Sequence, residues 1–409
     1  MLEINAERLL ADLYELREIG KYKSGVHRPT LSPDDMRARA WMKSKLEAIG
    51  HEVEIDGIAN VIGRAPGQGP HVLAGSHIES QNHAGWLDGA LGVVYAIEAA
   101  RAVKESGRFG ERGVDVVAFA DEEGHFLNYI GSYSFCGELD DETIDGARNR
   151  TDGSALRARL AEAGLADRPR RRLEQGRYKA FLEAHIEQGD WLESEGLSIG
   201  VVTSIVGIWQ YRVVFRGVQN HAGTTRMAIR KDAGVALTRL CQRIEAEFPK
   251  AAGPRSVWTV GRITLDPGAP SIIPGGAEML FQFRDAEPEV LTRLEACLMD
   301  LVAEANRDGP CTAELQVISR SVPAVMDERV QSALEAAARH FASGAHARMP
   351  SGAGHDCQII ARHLPSGMLF VPSIGGISHH WSENTSDEDL MLGGRVFGAA
   401  IGQILERPE

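Results

Sequence analysis

The sequence predicts an α/β protein in which one metal-binding domain is interrupted by a smaller two-layer unit. Three observations carry this expectation. Four short motifs rich in histidine and carboxylate each follow an apolar run of β type: GSHIESQNHAGWLDG at 75–89, DEEG at 121–124, FLEAHIEQG at 181–189 and GGISHH at 375–380. Apolar runs alternate with helical patterns through the N-terminal half, the alternation expected of βαβ units. Between 207 and 320 the order becomes βαββαβ, a self-contained pattern of the split βαβ kind, and none of the four motifs falls inside it. The metal-binding domain is therefore expected at 1–206 and 321–409, with the inserted domain at 207–320.

Taken in order, Leu9, Leu10, Leu13 and Leu16 form a helical stripe. Ser32-Pro33-Asp34-Asp35 is a helix start with proline in the first turn, and Gly50 ends that helix. Short strands are expected at 51–56 and 59–64, then a buried strand at 71–76, a helix at 88–103 and a strand at 114–120. The segment 140–177, with its basic run at 168–172, reads as a solvated cover of loop and helix. A strand at 199–204 precedes the inserted unit. Within that unit 208–216 alternates as a half-exposed strand, 231–248 and 288–306 are helical, and 256–265, 277–284 and 312–319 read as strands. Helices at 330–341 and 387–405 complete the interrupted domain.

The four motifs place His77, Asp88, Glu122, Glu123, His185 and His379 near strand ends, where open α/β sheets form their ligand crevice. Singly each is weak, because a lone histidine is more often a satisfied core or surface residue and a Glu-Glu pair is usually a solvated face. Together they offer three imidazoles with carboxylates and no thiolate. That donor set suits a borderline or harder divalent ion such as Zn²⁺, Mn²⁺, Co²⁺ or Ni²⁺. The residues alone leave open which of Glu122 and Glu123 is a ligand.

At 409 residues and 43% hydrophobic, the chain has ample material for a core. The formal charge of −13 argues against a nucleic-acid or anionic-membrane surface. Five cysteines without CxxC spacing fit a reducing compartment, and the N-terminus has no signal-peptide pattern, so the cytoplasm is expected.

GSHIESQNHAGWLDGALGV, FADEEG with GSYSFCG, FLEAHIEQG, NHAGTTRM, SIIPGG with FQFRD, SGAGHD and GISHHWSE follow one another in this order. The set resembles the successive signatures of the hydantoinase/carbamoylase branch of the aminoacylase-type binuclear metallohydrolases. That branch includes N-carbamoyl-L-amino acid hydrolases, allantoate amidohydrolases and β-ureidopropionases. The resemblance implies the interrupted two-domain fold, a homodimer paired through the inserted lid domain, and hydrolysis of a linear C–N bond in a small anionic substrate. An aminohydrolase (deaminase) or a peptidase on the same scaffold is the alternative. A non-catalytic relative is disfavoured because the ligands and Glu122 are all present.

Carried over by position, the resemblance implies that Asp88 bridges two ions, with His77 and His185 completing one site and Glu123 and His379 the other. It makes Glu122 the general base and His221 the lid histidine that reaches the neighbouring subunit's site. Arg284 clamps a substrate carboxylate, and Gln188 and His355 line the site. Several positions depart from the family pattern, among them His83-Ala84 in a loop normally richer in glycine. Glu79 stands where an aspartate supports the first histidine, and Ser271 replaces a substrate-contacting asparagine. Arg226 and Trp381 replace prolines, which implies an anionic, flat or aromatic substrate.

Overall fold

The computed structural model of the chain describes residues 1–407; the end of the expected second segment, 408 and 409, lies outside the described residues. The chain divides into two compact units, 1–203 with 325–409, and 204–324. The inserted unit thus begins three residues before the expected boundary and ends four after it, because the flanking residues of the first and last strands go with it. The class is α/β, and the main elements between Gly207 and Arg320 follow the order βαββαβ.

The larger unit is built on a nine-stranded sheet. At its centre four strands run parallel and adjacent in the order Ser366–Val371, Tyr178–Ile186, His71–His77, Val114–Phe119. Each is almost wholly buried, as strands covered on both faces are, which is why their sequences read as nearly continuous apolar runs. Antiparallel strands flank them: Val61–Arg64 beside Val114–Phe119, and Ile199–Ile205 beside Ser366–Val371. The helix Ala90–Ser106 buries nearly its whole circumference, and Asp387–Glu406 buries Leu390, Val396, Phe397, Ile401 and Leu405. The helix Pro33–Ala48 begins as expected, with the Ser32 side chain accepting from the Asp35 N–H.

Segment 140–177 is more than a solvated cover. Its helices Asp141–Gly146 and Leu156–Glu162 bury Ile144, Leu156 and Leu160 in a local apolar cluster with Leu31, Ile58 and Phe126. Among the described residues no helix is long and apolar enough to cross a membrane.

The inserted unit has one four-stranded antiparallel sheet, in the order Val257–Asp266, Gly276–Asp285, Gly207–Arg216, Thr312–Arg320. The helices Ala233–Ala251 and Pro288–Asp308 cover one face. There Tyr211, Phe281, Phe283 and Phe248 pack with ring centroids 5.4–5.8 Å apart, a spacing of favourable aromatic contact. Strict alternation along Gly276–Asp285 sends Phe281 and Phe283 to that face and leaves Gln282 and Arg284 on the other.

Candidate metal centre

All four motifs lie at or just past the carboxyl ends of the four central parallel strands. His77 is the last residue of its strand, and Asp88 immediately precedes the turn into Ala90–Ser106. His185 is the penultimate residue of Tyr178–Ile186, and Glu122 and Glu123 follow Val114–Phe119. His379 lies on the loop after Ser366–Val371. The sheet order therefore brings together residues as far apart in the chain as His77 and His379.

Asp88 sits at the middle. Its Oδ1 is 3.6 Å from His77 Nε2 and 3.1 Å from His185 Nε2, while its Oδ2 is 3.2 Å from His379 Nε2. Glu123 Oε2 is 3.6 Å from the same His379 nitrogen. The donors fall into two groups sharing Asp88, namely His77, Asp88, His185 and Asp88, Glu123, His379, each within 4.8 Å. Two imidazoles are oriented from behind by backbone carbonyls. His77 Nδ1 is 3.2 Å from Glu79 O, and His185 Nδ1 is 2.9 Å from Ile186 O. A proton on Nδ1 leaves the Nε2 lone pair facing the centre.

The electrostatics describe a crowded acidic site. Burial, then the charges of Glu123, Asp356, Asp88 and Glu183, push Glu122 well above the usual carboxylate range. Burial and Asp88 push Glu123 up to about 8. Burial opposes the charge on His185, yet Asp88 lifts it to about 9; the hydrogen bond to Asp88 lifts His379 to about 9 as well. Asp88 itself is held well below its ordinary value, because His185 and His379 outweigh burial. Carboxylates that raise one another while imidazoles face a shared carboxylate fit divalent metal, since a cation supplies the counter-charge and displaces the imidazole protons.

Glu122 Oε2 is 3.6 Å from His77 Nε2, and the residue is buried at 8% exposure, but it belongs to neither donor group. Gln188, held with φ of +60°, donates from Nε2 to Asp88 Oδ2 at 3.2 Å, the oxygen that faces His379. His355 is buried edge-to-face on His185 at 4.6 Å, with Ser351 Oγ 3.0 Å from its Nε2. Trp381 carries the Lys23 ammonium over its ring at 4.1 Å.

Glu79 does not repeat the support expected of an aspartate. Its Oε1 is 3.9 Å from His77 Nδ1, and its carboxylate instead accepts from the Glu122 N–H at 2.8 Å and from Arg39 at 2.8 Å. Three further residues were not singled out in the sequence. Gln81 donates from its backbone N–H and its side chain to Glu123. Buried Glu383 accepts from the Asp88 N–H at 3.1 Å and from Ser378 Oγ at 3.0 Å. Glu183 accepts from Ser76 Oγ at 2.6 Å and from the Cys357 N–H at 2.8 Å. Only the WSE and FLEAH contexts contain a trace of the two glutamates, and neither context says what the side chain touches.

In the inserted unit His221 is exposed, and its Nδ1 accepts from the Gly223 and Thr224 N–H groups at 3.0 and 3.1 Å, which assigns the ring proton to Nε2. Ser271 O accepts from the Ala222 N–H at 2.9 Å, and Arg226 precedes the turn Met227–Ile229. His221, Ser271 and Arg226 thus share one loop cluster beyond the Gly276 end of the strand Gly276–Asp285. Arg284 lies at the other end, opposite Ile208.

Residues 68–403 match the model of peptidase family M20/M25/M40, and the chain belongs to that family. It is 34% identical to an N-carbamoyl-L-amino acid amidohydrolase of Geobacillus stearothermophilus over 98% of this chain and 99% of that one. It is 33% identical to an allantoate amidohydrolase of Bacillus subtilis over 91% of each. The structure of an amidase of the hydantoinase/carbamoylase family from Burkholderia phymatum is 45% identical, with a TM-score of 0.91, covering 99% of this chain and 98% of that one. Within the family, then, the chain is of the hydantoinase/carbamoylase type, a hydrolase of non-peptide C–N bonds.

Proposed function

We propose that the chain is a binuclear amidohydrolase that uses water to cleave a linear ureido or carbamoyl C–N bond in a small carboxylated substrate. The observation that carries this reading is a buried carboxylate, Glu122, standing beside two donor groups that share Asp88 without belonging to either. His77, Asp88 and His185 would hold one divalent ion, and Asp88, Glu123 and His379 the other, as Zn²⁺, Mn²⁺, Co²⁺ or Ni²⁺. When bound, such a pair supplies Lewis acidity that lowers the pKa of a water and polarises a carbonyl. Glu122 takes the water's proton and passes it to the leaving nitrogen; it stands 3.6 Å from His77 Nε2 and belongs to neither donor group, which leaves its carboxylate available for that transfer.

His221 stabilises the developing oxyanion through its Nε2–H, and Arg284 clamps the substrate carboxylate. Eight residues of extended strand separate Gly276 from Arg284, about 27 Å at 3.4 Å per residue. A small substrate held by Arg284 is therefore out of reach of the same chain's His221. This supports a homodimer in which His221, with Ser271 and Arg226, serves the partner's site. Mixing inactive His221→Ala and Glu122→Gln chains is expected to restore activity, since one site of a mixed dimer keeps both groups; verified subunit exchange without recovery sinks the assignment. Five free thiols suit a cytoplasmic enzyme.

Trp381 and Arg226, which stand where the family pattern has proline, favour a flat or aromatic anion among the substrates. The test is release of ammonia, carbon dioxide and free amine from metal-loaded enzyme across N-carbamoyl, ureido, N-acyl and aromatic amino acids. Release from N-carbamoyl or ureido acids is expected, with aromatic members favoured. Turnover confined to acyl, peptide or ring-amine substrates would overturn the reading.

A further inference from the structure

The peptide between Asp121 and Glu122 is held from both sides by one N-terminal segment. Asp121 has a left-handed backbone, φ +57°, a conformation that a non-glycine residue keeps only where its surroundings over-determine it. Its carboxylate accepts from Thr30 Oγ1 at 2.8 Å and from the His125, Phe126 and Leu127 N–H groups at 2.7–3.0 Å. On the other side, the Glu122 N–H donates to Glu79 Oε1, and Arg39 Nη2 donates to Glu79 Oε2, each at 2.8 Å. Arg39 is fixed in turn by Asp35 Oδ2 at 3.0 Å and Ala59 O at 2.7 Å. Asp35, Arg39 and Glu79 are all fully buried.

Each Glu79 oxygen therefore has its own partner. A side chain shorter by one carbon–carbon bond, about 1.5 Å, cannot keep both. His77 has no direct need of this carboxylate, because the Glu79 backbone carbonyl already takes its Nδ1–H.

We propose that Glu79 is a positioning residue for Glu122: its carboxylate ties the Glu122 peptide N–H to the buried Arg39 and so aims the Glu122 side chain, while His77 is oriented by the Glu79 backbone alone. The extra methylene relative to aspartate is what lets the carboxylate bypass the imidazole and reach the next loop. The kinetic part of this inference rests on the reading of Glu122 as general base; the structural part does not.

The test uses the full-length enzyme with Glu79→Asp. Expected are kcat lowered ~10- to 100-fold, in the range typical of lost support behind a metal site, with KM and the number of bound ions unchanged. In the metal-free protein, hydrogen exchange at the Glu122 amide should accelerate relative to the wild type. Arg39→Lys, which cannot reproduce the planar fork to three acceptors, should show the same pattern more weakly. It carries the test should Glu79→Asp not fold. Wild-type kcat in both variants, an unchanged Glu122 exchange rate, or loss of an ion from the His77 group would overturn the proposal. A fully active Glu122→Gln enzyme would instead sink the general-base reading, and the exchange rates would still judge the tether. A Glu122 amide that exchanges freely in the wild type refutes the tether outright.

Discussion

The two donor groups that share Asp88 are built from the same chemistry in different surroundings. His77, Asp88 and His185 are all buried, and both imidazoles are locked by backbone carbonyls of their own strand ends. In the other group Glu123 is buried and braced by Gln81, but the His379 side chain is 52% exposed on a loop eight residues beyond its strand. Rigidity is thus concentrated on one side of the shared carboxylate. The buried group should hold its ion tightly, and the open group should exchange its ion and admit substrate.

The largest effect expected is from Asp88→Ala, which removes an oxygen from both groups at once: elemental analysis should find neither ion tightly bound, and activity should vanish. Two retained ions would break the bridging assignment and the comparison with it. Next comes Glu122→Gln, expected to lower kcat at least the ~10²-fold typical of general-base loss with ion content unchanged. Glu123→Gln should do the reverse and weaken the open group.

The asymmetry itself is sharpened by His77→Ala against His379→Ala. The first should release the buried ion; the second should leave that ion in place and speed loss of the other, as read by chelator-competition kinetics. Equal rates for the two variants would erase the distinction.

The smallest effect concerns pH. In the folded, metal-free chain His185 and His379 keep protons up to about 9, and Glu123 and Glu383 up to about 8. The unfolded chain releases them near 6.5 and 4.3. At these four groups the folded state therefore binds more protons through this window, while His77 and His355, both lowered by burial, work the other way near 6.5. The stability that the four groups contribute should fall as pH rises from about 5 to about 9, and Tm of metal-stripped protein should fall above about 7, past the range in which those two histidines titrate. Added metal should flatten the dependence by taking the place of those protons.

How much of this was legible follows from which signals are local. His71–His77 and Val114–Phe119 announced themselves because burial on both faces demands uninterrupted apolar runs, whereas Tyr178–Ile186 and Ser366–Val371 were given no bounds beyond the apolar runs beside their motifs. Helix starts such as Ser32-Pro33 were readable from capping chemistry. What stayed hidden depends on neighbours distant in sequence. Glu383 is 295 positions from the Asp88 N–H it accepts, and Glu183 is 174 positions from the Cys357 N–H it accepts. The paired strands Lys21–Tyr22 and Gly25–Val26 are too short to leave a periodicity. Glu79 was noticed for its length, but its direction depends on Arg39, forty residues upstream.

Asp121, Gln188 and His379 all have left-handed backbones without being glycine, with φ of +57°, +60° and +53°, and Gly89, at φ +66°, leaves no room for a Cβ against His77. Anyone grafting this centre onto another sheet would have to carry the loops with it. Five side chains copied onto relaxed turns would point elsewhere, and a library screened for activity should therefore recover backbone-permissive residues at these positions before it recovers new ligands.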